Sequence, residues 1–202
     1  HYLAALYFHL HFQYNGWFFF ACVGLLMVFL EKNGLLFSDK LFFKLLFISC
    51  VPAYFLSTLW LKIPIWLYVV TIIATVMQLF AWLEFALFIL KNLSFIKEKF
   101  ARPVKYMFAL AGTAVTIKFL LQFGSTIPEI SKLAFGFRPI VIAYLHLVLL
   151  GVLTTFLLGY AYAMSKLPAN KLSHIGLILF VGGIFLTEII LLIQGLASFK
   201  YI

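Results

Sequence analysis

The sequence predicts an all-α polytopic membrane protein, a bundle of six transmembrane helices. Three observations carry this. Hydrophobic residues make up 65% of the 202 residues and charged residues only 10%, whereas a soluble domain is about half apolar and a quarter charged. Apolar runs of about 20 residues recur along the chain, each long enough to cross a hydrocarbon core of about 30 Å. The runs are too long and continuous for barrel strands, so their backbones must be satisfied within helices.

The six runs lie at roughly 3–30, 41–61, 64–90, 104–123, 139–164 and 174–197. Turn and charge signals separate them. These are Glu31-Lys32-Asn33-Gly34, Lys62-Ile63-Pro64, the stretch from Lys91 to Pro103, Gly124 to Pro139, and Lys166 to Lys171. Pro52 should kink the second run, because proline removes a helical hydrogen bond. The 25 phenylalanines suit lipid-facing positions, and Trp17, Trp60, Trp66 and Tyr106 fit interfacial belts. Cys22 and Cys50 lie inside apolar runs without metal spacing, so no disulfide is expected. The chain begins at His1 with an apolar run already under way at Tyr2. The expectation is one transmembrane domain over 1–202 that is part of a longer parent chain.

The net charge of +9 would suggest nucleic acid in a soluble protein. Here the basic residues sit between apolar runs, where they act as topology signals and lipid-headgroup contacts. Nucleic-acid binding is excluded, and the lipid bilayer is the expected partner. No Walker loop, nucleophile elbow, zinc-protease motif or Rossmann glycine run occurs, and no catalytic residue is assigned.

A repeated frame carries the functional reading. The first span holds His9-Leu-His11-Phe-Gln-Tyr-Asn-Gly16 and then Gly24. The fifth holds Tyr144-Leu-His146-Leu-Val-Leu-Leu-Gly151 and then Gly159. Both read His-x4-Gly-x7-Gly. His11 precedes Glu31, and His146 precedes Lys166, by the same interval of about 20 residues, or about 30 Å of helix. Both histidines therefore fall near the outer hydrocarbon boundary. The glycines let another helix or a flat ligand approach closely. His9 and His11 point to opposite sides of their helix, about 200° apart.

His-x-His-x4-Gly-Trp-x6-Gly resembles a ligand helix of the haem–copper oxidase subunit I superfamily. That superfamily includes cytochrome oxidases and nitric oxide reductases, with NnrS-type membrane proteins as relatives. The resemblance implies four-helix arcs, with haem b, copper or another transition metal held by His9, His11 and His146. It implies a role in electron transfer or in nitric oxide or oxygen handling. The chain departs from the family in offering only these three histidines within spans. His1 is terminal, His174 lies in a loop, and there is no adjacent His-His pair for copper. The alternative is a cofactor-free transporter or a structural subunit of a larger membrane complex that keeps the fold.

Three charges inside spans bear on that alternative. Lys118 and Glu188 each lie about 20 Å, roughly thirteen residues, from their basic loops, and Glu84 lies nearer the loop at Lys91. Charges at such depth are costly and face a bundle interior or cavity. Lys118 is expected to pair with Glu188 or to meet an anionic ligand group, and Glu84 could line a proton path. Gln13, Asn15, Gln78, Gln122 and Gln194 are assigned to interhelical hydrogen bonds.

The basic residues set the orientation. Lys32, Lys40, Lys44, Lys91, Lys97, Lys99, Arg102, Lys105, Lys166 and Lys171 fall in loops on one side; Lys62, Lys132, Arg138 and Lys200 fall on the other. The positive-inside bias puts the larger group in the cytoplasm and the start of the first span outside, in an expected bacterial inner membrane. A cysteine at Lys97 should resist impermeant maleimide in intact cells and react after permeabilisation. Labelling in intact cells would reverse the topology.

Overall fold

A computed structural model describes residues 2–131, 137–168 and 170–199. Six of its helices are long and apolar enough to cross a membrane. Helix α1 runs over Tyr2–Lys32 and α2 over Asp39–Ala53, tightening into a 3-10 turn at Tyr54–Thr58. Helix α3 spans Ile65–Lys91, and a short α4 spans Leu93–Lys99 within the stretch expected as a break. Helices α5, Arg102–Gly124, α6, Arg138–Ala163, and α7, Lys171–Phe199, complete the set. Lys132 and Lys200, used for the orientation, lie outside the described residues.

The chain forms two compact units. Unit 1 comprises His1–Leu93 and Phe119–Leu133; unit 2 comprises Ser94–Lys118 and Ala134–Ile202. In unit 1 the most extensive packing is α2 against α3. Helix α3 buries Thr71, Ala74, Thr75, Gln78, Ala81 and Phe85, a stripe at helical spacing. Small residues let the two backbones approach. Thr71 and Thr75 donate their hydroxyls to Leu67 and Ile72 carbonyls of their own helix, so the stripe is polar in composition but largely self-satisfied. Phe37, Phe42, Phe85 and Phe88 form an aromatic cluster with neighbouring centroids 5.0–6.4 Å apart.

The end of α1 shows why the sequence breaks where it does. Gly34 adopts φ +90°, its N–H donates to Glu31 O, and the Leu35 N–H donates to Leu30 O. This pair of bonds closes a helix C-terminus and calls for a residue that tolerates the left-handed region.

In unit 2 the frame glycines of α6 receive α5. A Cβ on Gly159 would lie 2.9 Å from the Met107 Cβ, and one on Gly151 would lie 3.2 Å from the Ala114 Cβ. Of the two partners allowed by the sequence, helix or flat ligand, a helix fills these positions. Phe108 stacks on Phe156 nearby at 5.5 Å. Helix α7 packs along the first part of α6.

Two segments depart from α-helical geometry in a way the sequence did not announce. Residues Phe12–Phe18 and Leu147–Thr154 are π-helical. Each begins at the residue after a frame histidine and contains the first frame glycine. In the second, Thr154 and Thr155 donate their hydroxyls to Leu149 O and Leu150 O, five residues back, the separation of π-helical pairing.

Gly159→Ala should destabilise detergent-solubilised protein by about 1–3 kcal/mol, the usual cost of overpacking. Gly24, whose Cβ position meets nothing within 4 Å, should accept alanine with no loss. Thermal denaturation of the two variants checks the contrast.

Candidate functional site

His11 and its surroundings form the better-defined polar centre of unit 1. Its ring is 4% exposed, and its Nε2 lies 2.8 Å from the Cys50 carbonyl oxygen on α2. A carbonyl only accepts, so Nε2 carries the proton and donates. Asn15, one turn on, offers its Nδ2 to the His11 Nδ1 at 3.5 Å. Phe12 and Tyr54 meet the imidazole edge-on, at 5.1 and 6.0 Å between centroids. The Tyr54 hydroxyl donates to Ala4 O at 3.0 Å, tying the 3-10 turn of α2 to the start of α1.

His9 points elsewhere and is exposed. The two histidines of the His-x-His pair thus diverge, as their spacing requires.

His146 sits in unit 2, half-buried, at the point where α6 turns π-helical. Its Nδ1 is buried without a hydrogen-bond partner. Helix α7 brings Glu188 into electrostatic range of the same imidazole, and the Glu188 Oε1 is also buried and unpartnered. Two titratable groups on packed helices each hold an unused polar atom inside a membrane-spanning segment. Each is a group that can take up and give back a proton.

The remaining intramembrane charges are placed as follows. Lys118 is 2% exposed, enclosed as its cost in hydrocarbon demands. Glu84 is half-buried on α3. Buried Gln78 and Asn15 each keep a side-chain oxygen without a hydrogen-bond partner. The sequence pointed Glu188 toward Lys118; that its helix packs along the segment bearing His146 was not foreseen. Cys50, Asn15 and Tyr54 also escaped the sequence reading as partners of His11. Pro52, two residues after Cys50, was the available signal.

No known family, curated protein or solved structure matches the chain. The fold defines a helical integral membrane protein.

The donor set can be tested directly against the haem or metal that the sequence resemblance implies. A histidine ligand presents a ring nitrogen lone pair to the metal. The His11 Nε2 donates to Cys50 O, which leaves Nδ1 as the ring atom with a lone pair, 3.5 Å from the Asn15 Nδ2; His9 is exposed. Among the described residues no three His, Cys, Asp or Glu side chains converge as a metal site. His146 retains an unpartnered nitrogen, but it lacks the hydrogen bond that normally orients a ligating imidazole.

Exposed His9→Ala should change stability by no more than about 0.5 kcal/mol. Tyr54→Phe should cost about 0.5–1.5 kcal/mol through the lost bond to Ala4 O. Chemical denaturation in detergent separates the two.

Proposed function

We propose that this chain is a cofactor-free transport protein of the membrane, with His146 and Glu188 as its exchangeable proton or cation site. The supporting observation is the pair of buried, unpartnered atoms, His146 Nδ1 and Glu188 Oε1, on helices packed against each other. Intramembrane ionisable residues mark proton and ion pathways, and a π-helical stretch beside one of them is a frequent companion of functional sites. A proton or small cation arriving at the pair meets an acceptor nitrogen and an acceptor oxygen; leaving, it restores both. Lys118 and Glu84 are further pathway residues in this reading. The start of α1 faces outside, following the basic loops.

A second reading follows from the resemblance of the first frame to oxidase ligand helices. In it, His146 binds haem or a transition metal through its unpartnered nitrogen, and the chain handles electrons, nitric oxide or oxygen. The group would supply redox chemistry; His146 would hold it.

Purified protein in proteoliposomes should carry a proton or monovalent cation flux, read with a pH-sensitive dye trapped inside under an imposed potential. Glu188→Gln and His146→Ala should each reduce that flux at least tenfold, while His9→Ala leaves it intact. Equal flux in all variants refutes the assignment. A Soret band in wild-type protein, lost in His146→Ala, would favour the second reading.

A further inference from the structure

The short helix α4 and the first turns of α5 carry a surface that protein leaves open. No residue of α4 is buried. Phe95 is 38% exposed, and Lys97, Glu98 and Lys99 are exposed beside it. Seven residues rise only about 10 Å, so α4 joins spans rather than crossing the hydrocarbon. From the first turn of α5 the Lys105 Nζ donates to Lys97 O at 2.6 Å. A cation thereby closes the carbonyl end of α4 and ties it to α5. The Lys99 Nζ stands 5.3 Å from the centre of the Phe95 ring, within range of its negative face. Arg102 and Tyr106, one turn apart on α5, are both exposed.

The end of α6 reaches the same level. Met107 meets Gly159 and Ala114 meets Gly151, so α5 and α6 run antiparallel. Lys166, just past α6, therefore belongs to the end of unit 2 that carries Arg102. The terminus of α6 is closed by the Ser165 N–H on Tyr162 O and the Lys166 N–H on Ala161 O. Helix α7 starts at Lys171, and both lysines are exposed. Lys97, Lys99, Arg102, Lys105, Lys166 and Lys171 thus gather at one end of unit 2. Glu98 is the one acid there among the described residues; Glu188 lies mid-span on α7.

We propose that this end of unit 2 is a docking surface for anionic phospholipid headgroups. Lys97, Lys99 and Arg102 take the phosphates, and Phe95 and Tyr106 enter the layer beneath them. The charge is complementary, and each chemistry has its place. A guanidinium binds phosphate oxygens in pairs. Lysine stems lie along apolar surface while their ammonium groups stay at the headgroups. A tyrosine ring settles at headgroup level. Exposed apolar rings interleaved with basic residues are the composition of interfacial segments that favour anionic over zwitterionic lipid. An acidic soluble protein would match the charge alone; the open rings beside the ends of two spans select lipid. The site is specific in headgroup charge and in place, and it depends on neither His146 nor Glu188.

Spin-labelled phosphatidylglycerol and spin-labelled phosphatidylcholine, each at trace level in phosphatidylcholine proteoliposomes, read the relative association of the two lipids with the protein. The wild type should prefer phosphatidylglycerol by about fivefold or more, the worth of one basic residue near such a charge. Salt at about 0.5 M should weaken the preference by screening. The triple variant Lys97→Gln, Lys99→Gln, Arg102→Gln should bring it below about twofold, whereas Arg138→Gln, at the far end of α6, should leave most of it. If the triple variant does not fold, Lys99→Gln and Arg102→Gln must each lower the preference singly. A preference that persists undiminished in these variants overturns the proposal. No preference in the wild type also overturns it and leaves the charge to a soluble acidic partner.

Discussion

A carbonyl inside a bilayer has no water to turn to. Each backbone oxygen released from a helix must find a donor within the protein, at a cost of several kcal/mol if it fails. Regular helices meet this constraint without help. Among the described residues the spans depart from regular α-helix at three places: the 3-10 turn after Pro52 and the two π-helical stretches after His11 and His146. At two of them side chains bond to the backbone. His11 serves Cys50 O, while Thr154 and Thr155 serve the carbonyls of Leu149 and Leu150.

The two copies of the His-x4-Gly-x7-Gly frame show how one pattern can serve different ends. Both copies place a π-helical stretch directly after the histidine. In the first, the histidine closes on a neighbouring backbone and Gly24 stays open. In the second, the glycines seat α5, through Met107 and Ala114, and the histidine keeps an unpartnered buried nitrogen. Shared spacing therefore produced a shared local geometry, while the neighbouring helix decided the chemistry. The small residues of α5, Ala111 and Ala114, were the sequence sign that a helix would occupy the frame.

The six spans were legible because apolar length alone determines them, and the Gly34 C-terminus was legible because few residues accept that backbone conformation. Pro52 was readable as an irregularity of the second span, and the chain tightens to 3-10 geometry just after it. A carbonyl acceptor belongs to the main chain and has no letter in the sequence, so nothing near Cys50 named His11 as its partner. The π-helical stretches were invisible for a related reason. Their composition, Phe12–Phe18 in one case and Leu147–Thr154 in the other, is compatible with ordinary helix. Glu188 was recognised as an intramembrane charge, but depth alone could not show that its helix packs along the segment that carries His146.

The central claim is that the His11 Nε2–H is held by the Cys50 carbonyl of the neighbouring helix. The most direct measurement is nitrogen NMR of histidine-labelled wild-type protein in lipid, with His11 assigned by its loss in His11→Gln. The account predicts a neutral ring fixed with the proton on Nε2, showing a hydrogen-bond contact to the Cys50 carbonyl carbon. A ring protonated on Nδ1 with a bare Nε2, or one lacking any contact to Cys50, would contradict it.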